Sequence, residues 1–154
     1  MRTTTLCLLV KEGEVLLAMK KRGFGVGKWN GVGGKLEEGE TIEQAVLRET
    51  KEEIGVDSKE EHLVKVGNIK FYFNGKEDWN NDMHIYLMSN WEGEPRETEE
   101  MRPQWFKHEE IPFTEMWADD KHWLPRVLKA NKIEGEFHFS EDGNEIKKFE
   151  IKEI

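Results

Sequence analysis

One cysteine in 154 residues, Cys7, leaves no internal disulfide and excludes a disulfide-held secreted scaffold. Positive charge is also scarce, with 23 Lys and Arg against 32 Asp and Glu and a formal net charge of −9. Such a surface disfavours a nucleic-acid polymer or an anionic membrane as partner, so a polyanionic small molecule needs a local cation to bind. Long apolar runs are missing as well. The stretch Leu6-Cys7-Leu8-Leu9-Val10 is far too short to cross a bilayer and reads as a buried strand. Met1-Arg2-Thr3-Thr4-Thr5 leads into no signal-peptide cleavage pattern, and there is no internal repeat, linker or low-complexity segment. The expectation is a cytoplasmic protein, monomeric by default.

What is present suffices for one domain, residues 1–154. Hydrophobic residues make up 36%, including six Trp and eight Phe, and a chain of this length buries roughly two-thirds of its unfolded surface. Apolar, β-prone runs at 3–10 and 14–20 around Lys11-Glu12-Gly13 predict an opening hairpin. Seven glycines between Arg22 and Gly39 mark a loop-rich stretch with a short strand inside, where backbone can approach a ligand closely. Thr41 to Ile54 reads as a helix ended by Gly55. Strands follow at 63–73 and 83–91 around a polar turn from Asn74 to Asp82, then a short one at 103–106. A second helix over 119–130 takes Asp119 or Asp120 as its cap, and a hairpin of 135–139 with 146–151 closes the chain.

The first helix carries the strongest chemical signal. At about 100° per residue, Glu49 and Glu53 fall within roughly 20° of Ile42, and Glu52 lies about 80° to one side. Acids thus occupy the stripe that begins as the apolar face, where an unpaired carboxylate costs several kcal/mol. A cation must compensate them. All-oxygen ligands suit a hard ion, Mg²⁺ or Mn²⁺, and the absence of nearby His or Cys argues against zinc. The plainer alternative is a solvated acidic face paired with Arg48 and Lys51.

Gly34, Glu40, Arg48, Glu49, Glu52, Glu53 and Gly55 stand at the intervals of a Nudix box, residues 34–56, and the chain resembles the Nudix hydrolases. Thr50 departs from the bulky aliphatic usual there, which weakens the expected core packing. The resemblance implies an α/β fold, a mixed β-sheet sandwiched between helices, and a metal held by Glu49 and Glu53, with Glu52 and a Gly33 or Gly34 carbonyl supporting it. By the same resemblance Arg48 and Glu40 form a structural ion pair. Glu53 and Glu100 are the implied candidates for the base, Glu52 and Glu100 further candidate ligands.

Other segments narrow the resemblance: Lys20-Lys21-Arg22-Gly23-Phe24-Gly25, Trp29-Asn30-Gly31, Glu100-Met101-Arg102-Pro103 and Met116-Trp117-Ala118-Asp119-Asp120. Together they are similar to the MutT-homologue subgroup that hydrolyses oxidised purine nucleoside triphosphates, 8-oxo-dGTP and 2-oxo-dATP, to the monophosphate and pyrophosphate. Carried over, Asn30, Asp119 and Asp120 contact the purine edge and Trp117 stacks on the base. Phe24, Phe71, Phe73, Met101, Trp123 and Phe139 line the pocket, and Thr5 and Lys20 lie near the sugar. Taken singly, these residues have ordinary structural readings: Asp119 as a helix cap, the tryptophans as core, Phe71 with Phe73 as strand alternation. Two alternatives stay open: a Nudix hydrolase of dinucleoside polyphosphates, ADP-ribose or undamaged dNTPs, and a nucleotide sensor without turnover.

Overall fold

A computed structural model describes every residue from Met1 to Ile154. Strands β1 (Arg2–Lys11) and β2 (Glu14–Lys20) form the expected hairpin but pair only at its closed end, Val10 with Val15 and Lys11 with Glu14. Beyond that they diverge, and the glycine-rich segment fills the gap. Its short strand β3 (Trp29–Asn30) pairs with Ala18 and Met19 of β2, after which Val32 and Lys35 bridge to Cys7 and Thr4 of β1. Glycine is required there because two backbones touch: a Cβ on Gly33 would lie 1.9 Å from the Thr5 carbonyl oxygen.

Helix α1 (Ile42–Ile54) starts on a reciprocal cap. Thr41 Oγ1 accepts from the Gln44 amide at 3.1 Å, and Gln44 Oε1 accepts from the Thr41 amide at 2.9 Å. Gly55, left-handed at φ 77°, stops it by donating to the Lys51 carbonyl. Thr50 does not loosen the core as expected: it is buried and its hydroxyl donates to the Val46 carbonyl at 2.7 Å, and burial pushes the Cys7 thiol up to about 12.

The remaining elements are β4 (Leu63–Phe73), β5 (Asn81–Met88), β6 (Met101–Lys107), α2 (Asp120–Leu128), β7 (Ile133–Phe139) and β8 (Ile146–Glu153). The sheet runs β3-β2-β1-β5-β4-β7-β8, with β6 on the other edge of β2. Parallel pairing of β1 with β5 and of β4 with β7, among antiparallel neighbours, makes it the mixed sheet expected. Side chains alternate between two cores. Leu6, Leu8, Val15, Leu17 and Ile85 join Trp123, Leu124 and Val127 of α2, while Cys7, Leu9, Leu16, Ala18 and Met88 join Val46 and Ile54 of α1. The helices therefore cover opposite faces. Neither is long and apolar enough to cross a membrane.

Several boundaries differ from the sequence reading, and those of β5, β6 and α2 bear on the site. β5 begins at Asn81, inside the supposed polar turn, because Phe71 of β4 pairs with it. β6 is longer at both ends, being paired with all of β2. α2 ends at Leu128, and neither Asp119 nor Asp120 caps it with a side chain. Asp119 holds the cap position in an αR backbone (φ −74°, ψ −28°) instead of the extended one a cap needs, which leaves its carboxylate for another partner.

The close approach at Gly33 sets the first prediction. Gly33→Ala should lower stability by about 2 kcal/mol or more, read as a drop in the urea midpoint at unchanged slope. A wild-type midpoint would contradict the close backbone contact.

Candidate active site

Arg48 organises the acids around α1. Its Nε and Nη2 grip the two oxygens of Glu40 at 2.7 and 3.0 Å, while Nη1 reaches Glu49 at 2.8 Å and Glu52 at 3.2 Å. A further bond from Nη2 to the Lys35 carbonyl, 3.0 Å, ties the helix to the glycine segment. These bonds hold the Glu40 carboxyl below its usual range. The Arg48–Glu40 pair expected as structural is thus present with fork geometry.

Glu53 lies one turn further and only 6% of it is exposed. Burial first, and then the adjacent Glu49 carboxyl, pushes it up to about 9, against small opposing effects from Lys20 and the Gly33 amide. Its Oε2 is buried with no hydrogen-bond partner. Gly34 presses on the same spot, since a Cβ there would meet Glu49 Oε1 at 2.7 Å. The Gly34 carbonyl already accepts from the Thr5 amide at 2.9 Å, leaving that of Gly33 the freer oxygen. Glu49, Glu53, Gly33 and Gly34 are therefore brought together.

The other two acids stand apart. The Glu52 side chain is 58% exposed and reaches back to Arg48. Glu100 is 40% exposed and accepts from Arg22 Nε at 3.0 Å, which lowers its pKa. No three acidic or imidazole side chains converge in a preformed cage. The orphaned Glu53 oxygen fits a hard cation nonetheless: an oxygen-only set of Glu49, Glu53 and a glycine carbonyl has one buried lone pair still unused.

A second feature opens on the other core. A cavity of about 120 Å³ is lined by Phe24, Asn30, Phe71, Phe73, Trp117, Asp119, Asp120 and Phe139, all expected, together with Asn81 and Met83. Phe24 stacks on Trp117 at 5.1 Å between ring centroids. Asp119 and Asp120 are both buried, and Asp119 accepts from Trp123 Nε1 at 2.7 Å. Burial raises both carboxyls, Asp120 well above its usual value, and the neighbouring Asp119 charge adds to the shift at Asp120. Asp120 Oδ2 is buried and unpartnered, the counterpart of Glu53 Oε2.

Trp123 does not line this cavity; it is 1% exposed and stands behind Asp119 as its donor. Thr5, Lys20 and Met101 line an adjoining cleft instead, with Gly33, Gly34, Arg2, Lys28 and Lys35. The cleft supplies the local cations that a net charge of −9 demanded. Asn81 and Met83 were missed; the alternation Asn81, Met83, Ile85 ahead of the apolar run was the available signal.

A NUDIX domain profile matches residues 1–127. The chain is 55% identical over 135 residues to the oxidized purine nucleoside triphosphate hydrolase of Danio rerio, covering 88% of this chain and 85% of that protein. It is 46% identical over 153 residues to the protein of the same name from Mus musculus, covering 99% and 96%. Among solved structures, the mutator MutT protein of Bacillus halodurans superposes with a TM-score of 0.84 at 29% identity, over 98% of this chain and 97% of that one.

The buried Glu53 carboxyl sets a pH dependence. A carboxyl raised to about 9 gives stability that is complete below its ordinary range and is lost as pH rises through 9. With chelator present, the wild-type melting temperature should therefore fall between about pH 5 and 9, and Glu53→Gln should remove this titration. The variant should gain about 5 °C on the wild type across that range in thermal melts; parallel curves would contradict the burial.

Proposed function

The chain belongs to the NUDIX domain family, and from that premise we propose that it hydrolyses oxidised purine nucleoside triphosphates, 8-oxo-dGTP and 2-oxo-dATP, to the monophosphate and pyrophosphate. The reading rests on one observation. The aromatic pocket and the cationic cleft share five lining residues, with the unpartnered Asp120 carboxyl at the pocket end and Gly33 and Gly34, which lie beside the Glu49 and Glu53 carboxyls, at the cleft end. The names of the Danio and Mus relatives support the substrate class.

At the base end, Trp117 and Phe24 supply π-faces for a purine. Burial favours the neutral form of the Asp pair, and with one proton it would offer both a donor and an acceptor to the purine edge, so one site can read an oxo group or a ring nitrogen. Asn30 faces the same cavity. At the phosphate end, Lys20, Lys28, Lys35 and Arg2 oppose the negative charge of the chain.

Glu49, Glu53 and the Gly33 carbonyl would hold a divalent cation, Mg²⁺ or Mn²⁺; Glu52 and Glu100 would join it only by leaving Arg48 and Arg22. When bound, it neutralises phosphate oxygens and acidifies the attacking water. Glu53 is our choice of base over Glu100, because Glu53 is buried beside the glycine loop while Glu100 is paired to Arg22 at the surface. Arg48 orients Glu49 and anchors the loop, so that both carboxyls keep their aim.

With Mg²⁺, kcat/KM for 8-oxo-dGTP should exceed that for dGTP by about tenfold or more, with pyrophosphate released. A ratio near one would favour another Nudix substrate, and orthophosphate release would contradict the bond assigned. Glu53→Gln should lower kcat by about 10²- to 10⁴-fold while the protein remains folded; unaltered turnover would remove Glu53 from the site.

A further inference from the structure

We infer that Asn81 is a specificity-determining residue that hydrogen-bonds a pentose hydroxyl of the bound nucleotide, an inference resting on the pocket and cleft being one nucleoside triphosphate site. Five residues line both the aromatic cavity and the cationic cleft: Phe24, Asn30, Asn81, Met83 and Trp117. Whatever joins a base in the first to a phosphate chain in the second passes between them, and in a nucleotide that is the sugar. Phe24 and Met83 offer no strong hydrogen-bonding group. Trp117 has a single N–H donor and no acceptor, so it cannot match a hydroxyl in both senses. Asn30 Oδ1 is turned back on the Gly31 amide at 2.9 Å.

Asn81 differs from these four. It opens β5 with Phe71, a pocket wall, opposite it on β4, and Arg2, a cleft residue, opposite it on β1. Thr4 Oγ1 donates to its Oδ1 at 2.8 Å, and its Nδ2 donates to the Trp79 carbonyl at 3.0 Å. These two bonds decide which end of the amide is oxygen and fix its plane. An Asn side chain has two donors and two lone pairs, so one N–H and one lone pair remain at the junction. A hydroxyl, itself donor and acceptor, is the complement of that pair. Because the amide is already held at both ends, little side-chain freedom is lost when it binds.

The test compares wild type and Asn81→Leu on the ribo, 2′-deoxy and 2′,3′-dideoxy forms of 8-oxo-guanosine triphosphate. Loss of one neutral hydrogen bond should raise KM roughly 3- to 10-fold with kcat little changed. The effect should vanish on the dideoxy form. A loss already present on the deoxy form assigns the contact to the 3′-hydroxyl, and one that appears only on the ribo form assigns it to the 2′-hydroxyl. Thr4→Val keeps Asn81 but frees its amide to turn, and should give a smaller loss with the same sugar dependence; it carries the test should Asn81→Leu unfold. Equal loss on all three sugars, or none on any, would overturn the assignment. Failure of the wild type to turn over any of the three would instead overturn the functional reading beneath it.

Discussion

Glu53 places a carboxyl in the interior beside a second one, Glu49, and leaves one of its oxygens without a protein partner. In a folded chain such a group is either neutral or matched by a cation, since an unpaired buried charge costs several kcal/mol. Alone it holds its proton to about 9. The surroundings look built to keep it in that state until a cation arrives. Glu49 is pressed against the same point by Gly34, the Arg48 guanidinium stops short at Glu49, and Gly33 brings its amide to bear on Glu53. The crossing of the glycine segment between β1 and β2 follows from this, because only a side chain of hydrogen lets it lie against Thr5.

The same logic recurs across the sheet. Asp119 and Asp120 form a second buried acidic pair in different surroundings: Trp123 donates to Asp119, and burial raises both carboxyls. One pair is suited to a cation, the other to a neutral heterocycle with mixed donors and acceptors. The splayed β1–β2 hairpin lets the loop carrying Gly31, Gly33 and Gly34 pass between the strands, where it packs on Glu49 and lines the cleft that adjoins the aromatic pocket.

Much of this was legible in the residues. The positions of Glu49 and Glu53 follow from helical periodicity, Gly55 from the need for a left-handed stop, and the Arg48–Glu40 fork from a motif of fixed spacing. What escaped was decided between elements. Asn81 looked like turn because its neighbours are polar, and only pairing to Phe71 and Arg2 makes it strand. Trp123 looked like pocket wall because large aromatics surround the site, yet its indole N–H is spent on Asp119. Glu52 and Glu100 carry the right chemistry at the right positions, but each turns to an arginine. Side-chain direction of exposed acids is set by nearby cations, and no periodicity encodes it.

The central claim, that the inward carboxyls of α1 are held in readiness for a divalent cation, is tested most directly by proton release. Mg²⁺ titrated calorimetrically into the protein near pH 7.5, in buffers of different ionisation enthalpy, must displace the proton from Glu53. The account predicts about one proton released per cation bound at that carboxyl. Binding with no dependence on buffer ionisation would show that Glu53 was already charged and contradict it.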